Sequence, residues 1–331
     1  MYCDNDHQIK IIIFNIFIII LIYIFIDVNI INSSEKKYSA KITNKSNNSD
    51  KKFVIIKRNC PSCGLFSHFI MNLCCIHNYL VKGYIPIIDL KSYPNVINGF
   101  NTSNINYWEL FFEQPFGYTL EEVLKKGKNI IYIFCNECQP RLSCRDMPFD
   151  AVRNNFWHNF QAKYLPIKQE IIYLADKINR KLFKGSKNVL GVLTRGTDYI
   201  SKKPMSHPIP PNIRDLINDV KELDKKYIYD YIFFTTEDEN IREIFLKSFQ
   251  NKVKQLKSKI RVNYNYSSND YLGFNKNLSG NIEYNKIYLI NIIILSKCLD
   301  IITARCNGSA GIFIITNGFR NEKIYNLGIY N

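Results

Sequence analysis

From Phe53 almost to the C-terminus, short runs of β-branched and aromatic residues alternate with longer segments whose apolar side chains recur at helical spacing. This alternation constrains the fold most, because strands separated by helices pair in parallel and need cover on both faces. Phe53–Lys57 reads as a first buried strand. A Cys/Pro/Gly loop follows, then a helix over Leu65–Val81 with Phe66, Phe69, Ile70, Leu73, Ile76 and Leu80 on one face. Gly83 stops that helix, and Tyr84–Asp89 is the next strand, confined to an edge by Pro86. An irregular stretch runs from Lys91 to Tyr118. Thr119 and Glu122 then form a capping box, Gly127 closes a short helix, and Asn129–Cys135 is a third strand.

The second half repeats the pattern more regularly. Helix Gln169–Lys184, with Ile171, Ala175, Ile178 and Leu182 on one face, leads into strand Asn188–Thr194. Helix Asn212–Lys225, strand Tyr231–Thr236, helix Glu239–Phe249 and a short strand at Arg261–Tyr264 follow. Helix Glu283–Cys298 is apolar nearly all round, which predicts burial. Strand Leu299–Thr303, helix Gly308–Asn317 and strand Lys323–Leu327 complete the chain. With 331 residues, 46% of them hydrophobic, there is apolar surface for about two cores, which excludes a wholly disordered chain. The expected fold class is α/β, with two Rossmann-like domains, 53–168 and 169–331, facing a cleft.

Residues 1–10 read as a short tail. Ile11–Ile26 is almost continuous Ile, Phe, Leu and Tyr, and the apolar character extends to Ile31. Some ~20 helical residues cross a hydrocarbon layer, so 11–31 is expected to be a single transmembrane anchor. Only Lys10 precedes it, beside Asp4 and Asp6, and no small-residue cleavage site follows, which argues against a signal peptide. The Ser/Asn/Lys-rich segment 32–52 reads as a flexible linker. Eight Lys and Arg lie between Lys36 and Arg58, so the positive-inside rule predicts a single-pass membrane protein with its catalytic part cytosolic. The formal net charge of +15 suggests an anionic partner. Residues 33–58, with eight Lys/Arg against Glu35 and Asp50, supply about +6 of it. The folded part is only moderately basic, which suits a diphosphate-sized ligand better than a long polyanion.

In open α/β sheets ligands bind beyond the carboxyl ends of the strands. After Val189–Thr194 come Arg195, Gly196, Thr197 and Asp198. A guanidinium beside a glycine suits a fork-shaped clamp on a diphosphate, and Asp198 would orient it or bind a ligand hydroxyl. An Arg–Asp ion pair that merely closes a loop explains the same residues. After Tyr231–Thr236 come Glu237, Asp238 and Glu239 at a helix start, where the macrodipole favours acids without any function. Glu237 and Asp238 also suit a ribose hydroxyl or a metal. After Leu299–Thr303, the small residues around Asn307, Gly308 and Ser309 open a helix, which presents N–H groups to an anion or is simply capped by Asn307.

Ten cysteines in 331 residues fall below the density of a disulfide scaffold and read first as unlinked thiols. Cys60/Cys63 and Cys135/Cys138, with Cys144, nevertheless have the pair spacing of zinc or redox sites.

The segment Gly191–Tyr199 resembles the nucleotide-binding half of the GT-B fucosyltransferase superfamily, which includes α1,6- and α1,2-fucosyltransferases, protein O-fucosyltransferases and bacterial surface-polysaccharide transferases. The similarity continues through His207–Ile209, Phe234–Asp238 and Leu295–Thr303. In the first half Cys63–Phe69 is similar to a Gly-rich first βα turn and Trp108–Pro115 to a bacterial segment. The resemblance implies a GT-B-like fold and an inverting, metal-independent transfer from a GDP-sugar, typically GDP-fucose, to a glycan or lipid-linked acceptor. No cofactor, metal or nucleic-acid partner is implied. Arg195 would hold the β-phosphate, Asn307, Gly308 and Ser309 would donate to phosphate, and Asp198, His207, Thr236, Asp238, Gly64 and His68 would line the donor site. The chain departs from the pattern at Gly196, where a second Arg is usual, at Leu193 in place of a His, and at Lys203 in place of a carboxylate. The base would then come from Glu109, Glu113 or His68. Two readings from other classes compete: a non-catalytic basic binder of anionic glycan or nucleic acid, and a Cys-x-x-Cys zinc or redox protein.

Overall fold

The computed structural model describes residues 51–100, 104–135, 155–256 and 278–331. The expected tail and anchor, the strand expected at Arg261–Tyr264, Cys138 and Cys144 lie outside them. Among the described residues no helix is long and apolar enough to cross a membrane.

Two parallel sheets form. The first has β1 (Phe53–Lys57) between β2 (Ile85–Ile88) and β3 (Ile130–Phe134), with Val54 opposite Pro86. Pro86 therefore sits on an edge strand, as its missing N–H requires. The second sheet runs β6 (Val253–Lys254), β5 (Tyr231–Thr235), β4 (Val189–Leu193), β7 (Asp300–Ala304), β8 (Asn321–Tyr325), all parallel. Strands β4 and β7 are buried along their whole length, consistent with helical cover on both faces.

The helices are α1 (Leu65–Val81), α2 (Leu120–Lys126), α3 (Asn155–Tyr164), α4 (Gln169–Phe183), the single turn α5 (Asp198–Ser201), α6 (Ile213–Tyr227), α7 (Glu239–Phe249), α8 (Ile282–Leu295) and α9 (Asn307–Ile315). The capping box of Thr119 and Glu122 and the left-handed Gly127 bound α2 as its sequence predicts. Helix α3 was not expected. It buries Trp157, Phe160, Gln161 and Tyr164, and its Phe156, Trp157 and Phe160 rings surround His77 of α1. Lys51 and Lys52, assigned by sequence to the linker, are part of the fold: Lys51 Nζ donates to Tyr118 Oη at 2.7 Å, and the Lys52 carbonyl accepts from Ile85 N.

The two sheets do not face each other across an open gap along their whole depth. One cluster of buried side chains runs from Val54 and α1 through α8 and α9 to Ile301. At Gly311 of α9 the packing is close: an added Cβ would fall inside the contact distance of the fully buried Phe66 ring. Substituting Gly311→Ala is expected to lower stability by about 1–3 kcal/mol through this overlap, read from the denaturant midpoint.

Four cysteines are paired. Cys60 and Cys63 form a disulfide in the loop entering α1, and Cys75 of α1 is bonded to Cys135 just past β3. This corrects the reading of unlinked thiols. It also removes Cys135 from a zinc set with Cys138, and among the described residues no group of three His, Cys, Asp or Glu is arranged to hold a metal. The Cys75–Cys135 bond closes a sequence separation of 60 residues. Peptide mapping without reductant is expected to recover both links, and replacing Cys75 and Cys135 by serine to cost about 2–4 kcal/mol.

Candidate functional site

The carboxyl ends of β4, β5 and β7 bring three loops together. The β4 loop carries Arg195. Its Nε lies 3.0 Å from Glu237 Oε1, its Nη2 3.2 Å from Asp198 Oδ1, and its guanidinium 4.3 Å from the centre of the Tyr199 ring. These contacts orient the planar fork, and Nη1 has no partner among the described residues. Burial alone would lower the Arg195 pKa, but Glu237, then Tyr199 and Asp198, outweigh it and raise it well above its usual value. Arg195 is a permanent cation.

Gly196 and Thr197 are bound to the β5 loop. Gly196 N donates to Glu237 Oε1 at 2.9 Å and Thr197 N to Asp238 Oδ2 at 2.7 Å. The other oxygen of Asp238 caps α7 by accepting from Asn240 and Ile241 N, and Asp238 N donates to Thr236 Oγ1. Asp238 is thus a buried tie between two loops, and Thr236 supports it. An added Cβ at Gly196 would lie 2.6 Å from Asp238 Cβ and 2.7 Å from its Cγ. The departure at this position has a steric reason: no side chain fits there. Thr197 holds φ at 46°, a costly conformation for a β-branched residue that the bonds to Asp238, Asp198 and Glu237 sustain.

His207 lies beside this cluster, its ring edge-on to Tyr199 with centroids 5.4 Å apart and its Nδ1 against the Met205 carbonyl at 3.0 Å. Residues 207–209 pair with the C-terminal tail through a bridge between Pro208 and Ile329.

At the β7 end the N-cap of α9 is Cys306, not Asn307. Cys306 Sγ accepts from Ser309 N, and Ser309 Oγ, fully buried, accepts from Cys306 N and donates to the Cys306 carbonyl. Ser309 is thereby committed within its own turn, which corrects its expected role as a phosphate donor. Gly308 lies under Tyr288, whose Oη would be 2.5 Å from an added Cβ. Tyr284 and Tyr288 of α8 were missed in the sequence because α8 reads as a buried apolar helix. Burial, reinforced by Glu237, pushes the Tyr284 hydroxyl up to about 12, and burial with Cys306 raises Tyr288 further, so both remain protonated donors.

The first unit meets this edge through α1. Phe66 packs on Tyr288 with ring centroids 5.4 Å apart. Gly64 is the N-cap of α1, has open space where a Cβ would stand, and is followed by no acidic residue in the first turn. His68 is fully buried and neutral. Burial and then the Arg58 cation lower its pKa to about 3, which leaves it a weak proton acceptor near neutrality.

Glu109 and Glu113 do not join the Arg195 cluster. Glu109 Oε1 accepts from Asn106 Nδ2, Gln114 Nε2 and Leu120 N. It holds together a network in which Asn106 and Gln114 also donate to the Ile88 carbonyl. Its place is structural, which corrects its expected catalytic role. Glu113 is half exposed, with Lys168 Nζ 3.9 Å away.

No protein-family model matches the sequence, and no curated protein matches it. Solved structures do resemble the fold. NodZ α-1,6-fucosyltransferase soaked with GDP-fucose is 13% identical, with a TM-score of 0.48 over 80% of this chain and 93% of that one. Fucosyltransferase NodZ from Bradyrhizobium is 14% identical, with a TM-score of 0.43 over 76% and 88%. POFUT1 in complex with GDP-fucose is 9% identical, with a TM-score of 0.37 over 88% and 78%. At such values the chemistry of Arg195 and its neighbours has to be read from this chain's own geometry.

The buried His68 sets a pH dependence of stability. Its folded pKa of about 3 lies below the free value of 6.5, so the unfolded chain takes up the proton first as the pH falls. This contribution is complete above 6.5 and is lost between 6.5 and about 3, by at most about 1.4 kcal/mol per pH unit. His68→Gln is expected to flatten that slope when denaturant midpoints of both proteins are compared across the range.

Proposed function

We propose that this chain is a glycosyltransferase that takes a sugar from a nucleoside-diphosphate donor held at the carboxyl edge of β4, β5 and β7. The observation that carries this reading is Arg195, a permanent cation aimed by Glu237 and Asp198 with Nη1 left for a ligand. Charge builds up on the leaving diphosphate in the transition state, and a preoriented guanidinium there stabilises it without reorganisation. The donor is a GDP-sugar, with GDP-fucose the first choice from the sequence resemblance. The acceptor is a glycan or a lipid-linked precursor.

The transfer is a single inverting displacement that needs no metal. The acceptor oxygen bonds to the anomeric carbon as the bond to the diphosphate breaks, the diphosphate leaves with the electron pair, and a carboxylate takes the acceptor's proton. Of the carboxylates named from the sequence in the first unit, Glu113 is free enough to do so. The anchor at 11–31 belongs to the same proposal and would keep the site near a membrane-borne acceptor. The two disulfides favour the oxidising side of that membrane, against the cytosolic side that the flanking lysines predict.

The test is to incubate the protein with a panel of nucleotide sugars and follow donor hydrolysis and binding. GDP-fucose turnover is expected without added metal, and Arg195→Ala should reduce it about 100- to 1,000-fold. No binding of any donor, or binding indifferent to Arg195, would overturn the reading.

A further inference from the structure

We propose that the Tyr288 hydroxyl of α8 donates a hydrogen bond to the leaving phosphate of the donor, beside Arg195 and in the role that Ser309 does not fill. This rests on the function proposed above. Strands β4 and β7 are neighbours, with Leu193 opposite Thr303, so the loops that carry Arg195 and Gly308 leave the same sheet edge side by side. Tyr288 reaches this edge from α8. An added Cβ at Gly308 would stand 2.5 Å from its Oη, which puts the hydroxyl against the second residue of α9.

That contact explains the glycine. Gly308 is helical and its φ is not positive, so its backbone conformation is open to any residue, and glycine is a poor helix former. What requires glycine here is the room taken by the hydroxyl, since a larger residue would push Oη away from the edge. The ring itself is fixed by edge-on packing on Phe66, with centroids 5.4 Å apart. Its position is therefore set from both sides before any ligand arrives.

The hydroxyl is available. Among the described residues Tyr288 Oη has no hydrogen-bond partner, and the side chain is partly exposed, so a ligand can reach it. A hydroxyl largely withdrawn from water and left unpaired is costly, and a phosphate oxygen would satisfy it. A neutral donor suits this edge. Asp198 and Glu237 already engage Arg195, and a further cation would be drawn to the same carboxylates. As the bond to the sugar breaks, charge grows on the leaving phosphate, and a preoriented hydroxyl that keeps its own proton stabilises it. Tyr284 lies one turn earlier on the same face of α8. Glu237 acts most strongly on Tyr284 and Cys306 on Tyr288, so Tyr288 is the one on the side where α9 begins.

The experiment measures the binding of GDP and GMP by calorimetry to the full chain and to Tyr288→Phe, Tyr284→Phe and Arg195→Ala, with thermal melts to confirm folding. Phenylalanine keeps the packing on Phe66 and removes only the hydroxyl. Tyr288→Phe is expected to weaken GDP about 10-fold and GMP, which lacks the leaving phosphate, by less than about 3-fold. Tyr284→Phe is expected to change both by less than about 3-fold. GDP affinity equal to wild type in Tyr288→Phe while Arg195→Ala loses it would overturn the proposal and leave the function standing. An equal loss of GDP and GMP in Tyr288→Phe, or a loss of GDP as large in Tyr284→Phe, would also overturn it. A wild-type chain that binds neither nucleotide would overturn the function itself.

Discussion

Phe66 lying on Gly311 fixes how the two sheets meet, and the geometry of the site follows from it. The contact presses the first turn of α1 against α9 and, through the same ring, against Tyr288 of α8. Tyr288 in turn covers Gly308 at the start of α9. A larger residue at position 311 would separate the two units at the point where the edge of the second sheet is closed from above. The Phe66 ring therefore touches α9 and Tyr288 at once and fixes the position of α1 against the second sheet.

Those loops hold a charged cluster in which each group has a defined task. Glu237 receives Arg195, Gly196 N and Thr197 Oγ1 on one oxygen, while Asp238 ties the β4 loop to the cap of α7. Buried polar groups at such density need partners, and the bonds of Thr197 to Asp238, Asp198 and Glu237 hold it at its positive φ. The cost in backbone strain is matched by a guanidinium that does not have to be reorganised when a ligand arrives.

Much of this was legible in the sequence, for identifiable reasons. Strand β1 and helices α1, α2 and α7 follow directly from apolar spacing, the Thr119 capping box and Gly127, all of which are local signals. Arg195, Glu237 and Asp238 were found because each follows a strand, and the parallel sheet puts such residues at one edge. What was missed depends on contacts distant in sequence. Cys75 and Cys135 are 60 residues apart, and nothing local marks them as partners. Ser309 looks like an anion ligand until its bonds to Cys306 are seen, and Glu109 looks like a base until Asn106, Gln114 and Leu120 converge on it. Tyr284 and Tyr288 were hidden by the uniform apolarity of α8, which disguised the one stretch of it that faces charge. Helix α3 was overlooked although Trp157, Phe160 and Tyr164 have helical spacing, because it falls in what reads as a long connection between the two halves.

The contact of Gly196 with Asp238 also has an evolutionary consequence. Any side chain at 196 collides with the Asp238 carboxylate, and any change at 238 releases both the Thr197 amide and the cap of α7. The two positions form an epistatic pair, in which neither tolerates drift unless the other changes with it. An arginine cannot be placed at 196 by a single substitution, so added cationic character at this edge has to come from a different position.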